Sequence, residues 1–306
     1  MTEALQFFKA LSDETRLRLL FILNRFELNV NELVRFLGMG QSRVSRHLKI
    51  LSDAGLVTFR RDGLWVFYSA VREGKGRKFI ASVAPFLSEV RTSPDDLALA
   101  AGIIEERAIK TSQFFNTIAL DWDNMSRDIL GGFKLEEEIL ALVPDRCEIA
   151  VDLGCGTGSV LNCLLRRARL AIGVDGSPSM LELARRRFTE KPAQVSLRIG
   201  DLEHLPLADA EADFACINLV LHHLSSPLNV LREARRVLKS GGTLVLSDFD
   251  RHNDESLRTD YGDRWLGFTA ETIDGFLKEA GFALQYSTAR PVEKNLTVHF
   301  YQAKTA

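Results

Sequence analysis

The strongest chemical signal in the sequence is a glycine-rich run in the C-terminal half of the chain. Residues 151–158 are VDLGCGTG, and they lie between an apolar stretch typical of a β-strand and a segment with helical periodicity. Glycines at such a junction permit a tight turn and let the backbone approach a ligand closely. A dinucleotide fingerprint places its third glycine three residues after the second, but Gly158 follows Gly156 by two. Asp152 would repel a pyrophosphate, so the run favours a cationic ligand.

This run resembles the first motif of class I S-adenosylmethionine-dependent methyltransferases, whose cofactor carries an ammonium and a sulfonium group. The resemblance covers about residues 105–306, and the layout is similar to that of the methyltransferases of ubiquinone and menaquinone biosynthesis. It implies S-adenosylmethionine as the cofactor and S-adenosylhomocysteine as the product. The cofactor-binding residues that it implies are Asp152, Gly154, Cys155, Gly156, Gly158, Asp175, Gly176, Asp201, Leu202 and Asn218.

Three of these residues receive separate roles from the resemblance. Asp175 ends the second predicted strand and is implied to accept hydrogen bonds from both ribose hydroxyls. Asp201 follows the third strand and is implied to accept a hydrogen bond from the adenine amino group. Asn218 ends the fourth strand, where backbone and side chain are implied to line the methionine end of the cofactor.

Methyl transfer from a sulfonium is an in-line displacement, so alignment of donor and acceptor supplies most of the catalysis. A side-chain base is needed only where the acceptor is protonated. The candidate catalytic residues are His222 and His223 after the fourth strand and Asp248 after the fifth, with His252 as a further candidate base. A structural role for the two adjacent histidines is an equally good interpretation. No residue spacing suits a zinc site, so no metal is predicted.

These residues need a scaffold that brings them together. From about residue 149, strand and helix patterns alternate, which predicts an α/β domain with a doubly wound parallel sheet. The resemblance extends this prediction to a Rossmann-like sheet of seven strands with the last one antiparallel. The predicted strands are 149–153, 170–174, 195–199, 213–219, 243–247, 283–287 and 296–302. An aromatic-rich insertion at 248–268 is expected to form a substrate lid or a contact between subunits.

A second chemical signal lies near the N-terminus. Helical patterns are predicted at 4–26, interrupted near Asp13, and at 27–38, ending at Gly38. In the next predicted helix, 43–54, apolar residues recur at core-facing spacing, and short polar side chains and cations remain outside. That combination suits a helix in the major groove of DNA. The predicted DNA-contacting residues are Gln41, Ser42, Arg43, Ser45, Arg46, His47 and Lys49, of which His47 is expected to pack or to contact a phosphate.

Two short β-type runs follow this helix, at 56–59 and 64–69, around Arg60-Arg61-Asp62-Gly63. An Asp-Gly pair between such runs predicts a type I′ hairpin turn. Arg60 and Arg61 at the hairpin tip would meet phosphates or a minor groove. Residues 1–92 hold 15 Lys and Arg against 9 Asp and Glu, whereas the remaining residues hold 24 against 32. A basic N-terminal part suits a polyanionic partner.

These N-terminal elements resemble the ArsR/SmtB family of bacterial repressors over about residues 1–90. The matching segments are ALSDETRLRLLFIL, QSRVSRHLKILSDAGLV and RRDGLWVFYS. The resemblance implies a winged helix–turn–helix, mainly α-helical with a β-hairpin wing, that binds double-stranded operator DNA. Reuse of this fold as a dimerisation or docking module is the alternative.

Two further expectations come from this resemblance. The family's metalloid sensors carry two cysteines in a segment of the form ELCVCEL, where this chain has Asn29 and Asn31. Amides cannot replace the thiolates that soft metals require, so the chain needs another signal. In the resembled family a helix corresponding to the apolar segment 77–91 helps to form the dimer. A homodimer on a palindromic operator is therefore expected, with simple core packing as the alternative.

The sequence thus predicts three segments: a winged-helix DNA-binding domain at 1–92, a helical linker at 93–118 and a methyltransferase domain at 119–306. The first functional hypothesis is a DNA-binding regulator fused to an enzyme that methylates an unidentified small molecule. The second is a repressor whose methyltransferase fold only senses S-adenosylmethionine or S-adenosylhomocysteine. The composition is 46% hydrophobic and 26% charged, without a membrane-spanning apolar stretch. Four cysteines without a CxxC pair favour a cytoplasmic location.

Overall fold

The computed structural model describes residues 2–62, 64–87 and 93–305. Its internal contacts divide the chain into two compact units, Met1–Arg107 and Ala108–Ala306. The division falls inside one helix, Ser93–Ile118, which is the segment that we predicted as a linker. Within the described part of the chain, no helix has the length and apolar character needed to cross a bilayer.

The first unit is a helical domain with a small antiparallel sheet, as predicted for a winged helix. The sheet has the strand order β1-β3-β2. The elements are α1 Glu3–Leu11, α2 Glu14–Leu23, β1 Leu28–Asn29, α3 Val30–Leu37, α4 Gln41–Asp53, β2 Val57–Asp62, β3 Trp65–Ala70, α5 Gly74–Leu87 and the first part of α6 Ser93–Ile118.

Local sequence signals explain where these helices begin and end. The Asp13 side chain accepts a hydrogen bond from the Arg16 amide and so caps the start of α2. Gly38, with φ of 63°, ends α3 in the left-handed conformation that favours glycine. Val44, Leu48 and Leu51 of α4 are fully buried, and their burial fixes which face of α4 remains outside.

Two predictions for this unit are wrong in detail. Residues 27–29 do not extend α3: Leu28 and Asn29 pair with β3, because Asn29 adopts an extended backbone and caps α3. Arg60 and Arg61 lie within β2, where they pair with Phe67 and Val66, and not at the hairpin tip. Gly63, on which the predicted turn depends, and Val90 and Arg91 of the predicted helix 77–91 lie outside the described residues.

The second unit is a mixed sheet of seven strands with helices, in the order β6-β5-β4-β7-β8-β10-β9. The strands are β4 Cys147–Leu153, β5 Ala168–Asp175, β6 Val195–Ile199, β7 Ala212–Asn218, β8 Leu238–Phe249, β9 Phe282–Pro291 and β10 Thr297–Thr305. The helices are α7 Trp122–Leu130, α8 Leu135–Leu142, α9 Ser159–Leu164, α10 Pro178–Arg187, α11 Pro227–Val237, α12 Ser256–Asp260 and α13 Ala270–Glu279. The last strand is antiparallel to both of its neighbours. This is the predicted Rossmann-like fold.

The sheet is covered on both faces, which leaves its carboxyl edge for binding. Val151 and Ile172 belong to one apolar cluster, whereas the adjacent Ala150 and Ala171 belong to another. Since successive side chains of a strand point to opposite faces, the two clusters lie on opposite sides of the sheet. The strands β4, β5, β6 and β7 run parallel, so their carboxyl ends meet at one edge.

The packing of α5 depends on the absence of a side chain at Gly76. A Cβ atom there would lie 2.1 Å from the main-chain oxygen of Gly55. We expect Gly76→Ala to lower the free energy of unfolding by about 1–3 kcal/mol, because α5 must shift away from the end of α4. Calorimetry of the N-terminal unfolding transition would measure this loss.

Gly102→Ala is the matched control, because Gly102 also lies in a helix but has no atom within 4 Å of an added Cβ. It should raise stability by about 0.5–1 kcal/mol, the usual gain from replacing a helical glycine. Equal stability of the Gly76→Ala variant and the wild type would contradict the packing described here.

Candidate functional site

A cavity of about 530 Å³ lies in the second unit, at the carboxyl ends of β4, β5, β6 and β7. Its size is that of a small-molecule or cofactor site. The structure brings nine of the ten predicted cofactor residues to its wall: Asp152, Gly154, Cys155, Gly156, Asp175, Gly176, Asp201, Leu202 and Asn218. Gly158 is the exception. Its Cβ would lie 2.8 Å from Cε2 of Phe188, so this glycine lets the loop pack on the end of α10.

The glycine loop is shaped by positive backbone angles and held by one carboxylate. Gly154 has φ of 81°, and a Cβ there would lie 2.5 Å from a methyl group of Val220. Asp175 accepts hydrogen bonds from the backbone amides of Gly156 and Ser177, each at 2.8 Å. The end of β5 therefore fixes the loop that follows β4, and the backbone of the loop stays open to a ligand.

Two acids, one buried and one half-buried, make the cavity wall selective for charge. Asp152 is 2% exposed, and burial raises its pKa to about 7. The Cys216 thiol lies 3.4 Å from its carboxylate. Burial also raises the pKa of Asp175, against the two amide hydrogen bonds that favour its charged form. Because a nearby cation favours an ionised carboxylate, the site suits a positively charged ligand and disfavours an anionic one.

Near β6 and β7 the wall of the cavity carries apolar and amide side chains. Ile199 and Leu202 give an apolar surface, and the exposed Asp201 carboxylate lies beside it. Asn218 at the end of β7 accepts a hydrogen bond from the Ser247 hydroxyl at 3.1 Å, which fixes its amide. One end of the cavity thus combines an apolar surface with an acceptor, and the other end combines an amide with a buried acid.

The second part of α6 and the start of α7 form the roof of the cavity, which the sequence analysis missed. Phe115 and Trp122 line it, with ring centroids 5.3 Å apart. The Ser112 hydroxyl donates to the Gly176 carbonyl at 2.9 Å, and Asn116 accepts from the Ser177 hydroxyl at 2.7 Å. These side chains precede the glycine motif by more than one element, so no local pattern connects them with it.

The candidate catalytic residues form a buried cluster, but only His223 reaches the cavity wall. Nδ1 of His222 lies 2.7 Å from the Asp248 carboxylate, and its Nε2 lies 3.6 Å from Asp263. Nδ1 of His223 lies 3.3 Å from the Gly262 carbonyl. His222 and Asp248 therefore stand behind His223, away from the ligand space. Asp263 carries no sequence signal that predicts this role, because only the fold brings it to this cluster.

The electrostatics of the two histidines are opposite. Burial alone would lower the pKa of His222, but Asp248 and Asp263 outweigh it and raise this pKa to about 9. Burial and the neighbouring charge of His222 lower the pKa of His223 well below its usual value. Burial raises the pKa of Asp263 to about 6. The ligand atoms of His222, His223 and Asp263 are near enough to share a metal ion, and His222 also lies within ion-pair distance of Asp263.

The aromatic insertion is not a lid, contrary to one of our two expectations. Tyr261, Trp265 and Phe268 are all buried, at 6%, 7% and 3% exposure. The Trp265 indole donates to the Leu224 carbonyl at 2.8 Å. Neither this segment nor His252 within it lines the cavity. The insertion instead packs behind His222 and supplies Asp263.

The predicted DNA face of α4 is exposed, and three of the predicted contacts already lie against acids of the protein. Lys49 donates a hydrogen bond to Asp53 at 3.2 Å. Gln41, Ser42, Arg43, Ser45, Arg46 and Lys49 lie at the surface. His47 is largely covered and lies 3.6 Å from Asp13. Arg60 donates to both carboxylate oxygens of Glu27, at 2.9 and 2.8 Å, whereas Arg61 is exposed.

Comparison with known proteins agrees with this division. A family described as "Methyltransferase domain" matches residues 151–246, and one described as "Bacterial regulatory protein, arsR family" matches residues 13–58. The demethylmenaquinone methyltransferase of Symbiobacterium thermophilum is 30% identical over 187 residues, which are 58% of this chain and 73% of that protein.

An uncharacterized 37.1 kDa protein in transposon TN4556 of Streptomyces fradiae is 37% identical over 171 residues, 52% of this chain. The chain spans 48% of that relative's length. Among solved structures, the [4+2]-cyclase SpnF superposes with a TM-score of 0.55 at 17% identity, covering 63% of this chain and 94% of SpnF. At this identity the superposition shows a shared fold only.

The glycine loop, the acids at the strand ends and the match to the Symbiobacterium enzyme lead to one assignment. The chain belongs to the S-adenosylmethionine-dependent methyltransferases related to demethylmenaquinone methyltransferase, and it carries an ArsR-family DNA-binding helix–turn–helix at its N-terminus.

Proposed function

We propose that this protein is a DNA-binding regulator whose operator affinity depends on S-adenosylmethionine or S-adenosylhomocysteine bound in the C-terminal cavity. The proposal rests on helix α6, which contributes residues to both units. Its first part packs in the winged-helix unit, where Asp96 accepts two hydrogen bonds from Arg18, at 2.8 and 2.6 Å. Its second part lines the cavity through Ile109, Ser112 and Phe115.

For a ligand to change operator affinity, it must bind the free and the DNA-bound conformations unequally. A helix that belongs to both units supplies a physical route for this difference. The roof contacts of Ser112 and Asn116 lie on this helix, so filling or emptying the cavity acts on it directly. No equivalent route would exist if the units were joined by an unstructured linker.

The individual cofactor contacts are part of the same proposal. Asp152 at the end of β4 is suited to the ammonium of the methionine moiety, because a cation compensates its burial. Asp175 is suited to the ribose hydroxyls, and Asp201 to the adenine amino group beside the apolar wall of Ile199 and Leu202.

We also propose a homodimer that presents two copies of α4 to a palindromic operator. Large apolar side chains are exposed on α1 and α5, namely Leu5 at 45%, Phe8 at 62% and Phe86 at 67%. Exposed apolar residues on adjacent elements are suited to an interface between copies. Operator binding would also place the protein in the cytoplasm.

Methyl transfer to a small molecule is the second candidate function, and His223 favours it. Its Nε2 atom is buried without a hydrogen-bond partner among the described residues, and its lowered pKa keeps the ring neutral. A neutral imidazole at the cavity wall can take a proton from the acceptor while the acceptor attacks the methyl carbon. Bound S-adenosylmethionine would supply the methyl group by in-line displacement, in which its carbon–sulfur bond breaks as the new bond forms and the electron pair stays on sulfur.

The first test is reciprocity between operator and cofactor. S-adenosylmethionine or S-adenosylhomocysteine should change the operator affinity of the full-length protein by about 5- to 150-fold. Operator DNA should change the cofactor affinity by the same factor, because the coupling is thermodynamic. Fluorescence anisotropy of a labelled operator duplex and calorimetry of cofactor binding would measure both.

Asp175→Asn is the control for this titration. It should abolish the response by weakening cofactor binding, and it should leave the operator affinity of the unliganded protein unchanged. Arsenite should have no effect. If neither cofactor form changes the operator affinity of the wild type, the two units are merely tethered and the regulatory proposal fails.

A second test addresses turnover. Full-length protein with methyl-tritiated S-adenosylmethionine and the small-molecule fraction of a bacterial extract should yield a labelled product that chromatography resolves. His223→Gln should slow labelling by about 10²- to 10⁴-fold, the usual contribution of a general base. His299→Gln, in β10 and outside the cavity wall, is the control. Equal rates for His223→Gln and wild type would exclude His223 as the base.

A third test concerns the ion pair behind His223. Since the pKa of His222 rises from 6.5 to about 9 on folding, its stabilisation is complete below pH 6.5 and is lost as pH rises through 9. Asp248→Asn should therefore lower stability by about 3–5 kcal/mol near pH 6, and by less above pH 9. Urea unfolding at both pH values would measure this, with the exposed Asp260→Asn as control. A destabilisation independent of pH would contradict the pairing.

A further inference from the structure

The last residue of the winged-helix unit, Arg107, lies on α6 directly before the first residue that lines the cofactor cavity, Ala108. Its side chain is 8% exposed and pairs with Glu32, which is 12% exposed. Nε of Arg107 donates to one carboxylate oxygen of Glu32 at 2.5 Å, and a terminal nitrogen donates to the other oxygen. A buried, bidentate arginine–carboxylate pair is specific in its geometry.

Glu32 already has a second task, because it closes the N-terminus of α3. The Asn29 side chain accepts a hydrogen bond from the Glu32 amide at 3.1 Å, and the Glu32 carboxylate accepts one from the Asn29 amide at 2.8 Å. This reciprocal arrangement is a capping box. The carboxylate that fixes the first turn of α3 is therefore the same carboxylate that binds α6.

Arg107 also contacts the base of the wing. Both of its terminal nitrogens lie 3.4 Å from the main-chain oxygen of Glu27. The side chain of Glu27 holds Arg60 on β2, and the next two residues, Leu28 and Asn29, form β1 of the wing sheet. One guanidinium group thus contacts the start of α3 and the segment that supports the wing.

We infer that Arg107 couples the cofactor cavity to the DNA-binding elements. Binding or release of the cofactor changes the hydrogen bonds that Arg107 makes with Glu32 and Glu27. This inference deepens the proposed regulation and depends on it. Phe115, on the cavity roof, lies eight residues farther along the same helix. A small rotation or shift of α6 at the roof therefore displaces the guanidinium group of Arg107. Its bidentate pair with Glu32 tolerates little change in geometry.

The ion pair between Arg35 and Glu106 provides an internal comparison. It also joins α3 to α6, with a distance of 2.7 Å, but its side chains are 58% and 39% exposed. Exposed pairs contribute little in water, and Arg35 lies in the last turn of α3, away from the capping box. Loss of this pair should leave the communication intact.

The test measures the coupling factor, which is the ratio of operator affinities with and without saturating S-adenosylhomocysteine. The probe is a duplex selected by the full-length protein from a random-sequence library. Glu32→Gln is the main variant, because glutamine retains the acceptor that a capping box needs but loses the charge that binds Arg107. Its coupling factor should fall to within about twofold of one, from the 5- to 150-fold typical of coupled sites.

Glu106→Gln is the matched control and should keep the wild-type coupling factor. Calorimetric affinity for S-adenosylhomocysteine should be unchanged in both variants, because neither residue lines the cavity. If Glu32→Gln fails to fold, Arg107→Lys replaces it: lysine keeps the positive charge but cannot form the bidentate contact. Its coupling factor should also fall.

The outcomes separate this inference from the function on which it depends. A wild type without coupling overturns the regulatory proposal itself, whatever the variants do. A wild type with coupling that Glu32→Gln or Arg107→Lys retains in full overturns the role of Arg107 and leaves the regulatory proposal standing. Loss of coupling in Glu106→Gln as well would show that the coupling needs the α3–α6 contacts in general and not Arg107 in particular, and it would also overturn the inference.

Discussion

Two carboxylates lie at the carboxyl edge of the sheet, one buried and one half-buried, and the cost of withdrawing them from water organises the cofactor site. Asp152 lies at the end of β4 and Asp175 at the end of β5, and burial raises the pKa of each. Asp175 is compensated by two backbone amides, and this compensation pins the glycine loop. Asp152 has the neutral Cys216 thiol and Asn218 amide nearby, which do not offset the cost of its burial, so a bound cation would provide the missing compensation. The site therefore prefers a cationic cofactor because the protein does not fully compensate the charge of the Asp152 carboxylate.

The histidine cluster differs from the cofactor site, because buried acids and an imidazolium of the protein compensate each other's charges. Asp248 and Asp263 flank one imidazolium, His222, so the protein itself provides a cation beside these two acids. The charge of His222 keeps the adjacent His223 neutral. A buried cluster of this kind favours one arrangement over its competitors, because separating any partner leaves an unpaired charge. The neutral ring at the cavity wall is thus maintained by charged groups that never meet the ligand.

The sequence was informative where the physical cause is local. The strands β4 to β10 follow from short-range patterns of apolar residues, and the glycine loop follows from spacing within seven residues. Asn29 and Glu32 also carry a local signal, an amide three residues before an acid, which is typical of a capping box. We predicted a continuous helix there, because the apolar periodicity of residues 27–38 outweighed the cap in our interpretation.

What the sequence did not predict depends on contacts between distant segments. Asp263 joins His222 across about forty residues, and Phe115 meets the cavity from a helix that precedes the whole sheet. Arg60 was expected to face DNA, because arginines beside a hairpin turn often do, but Glu27 from the preceding loop engages it. In each case the residue type was consistent with several roles, and the tertiary partner selected one of them.

Helix α6 is held by different interactions in its two parts. Its N-terminal part is fixed by buried arginine–carboxylate pairs, which respond steeply to small displacements, because separating one partner leaves the other charge buried and unpaired. Its C-terminal part is fixed mainly by single hydrogen bonds and by aromatic contacts on the cavity wall, which a ligand can rearrange at lower cost. A typical coupling between sites amounts to about 1–3 kcal/mol, no more than a fraction of one buried ion pair. The proposed regulation of DNA binding by a cofactor would therefore require no large rearrangement, because α6 carries both a contact that a ligand can rearrange and an ion pair that tolerates little displacement.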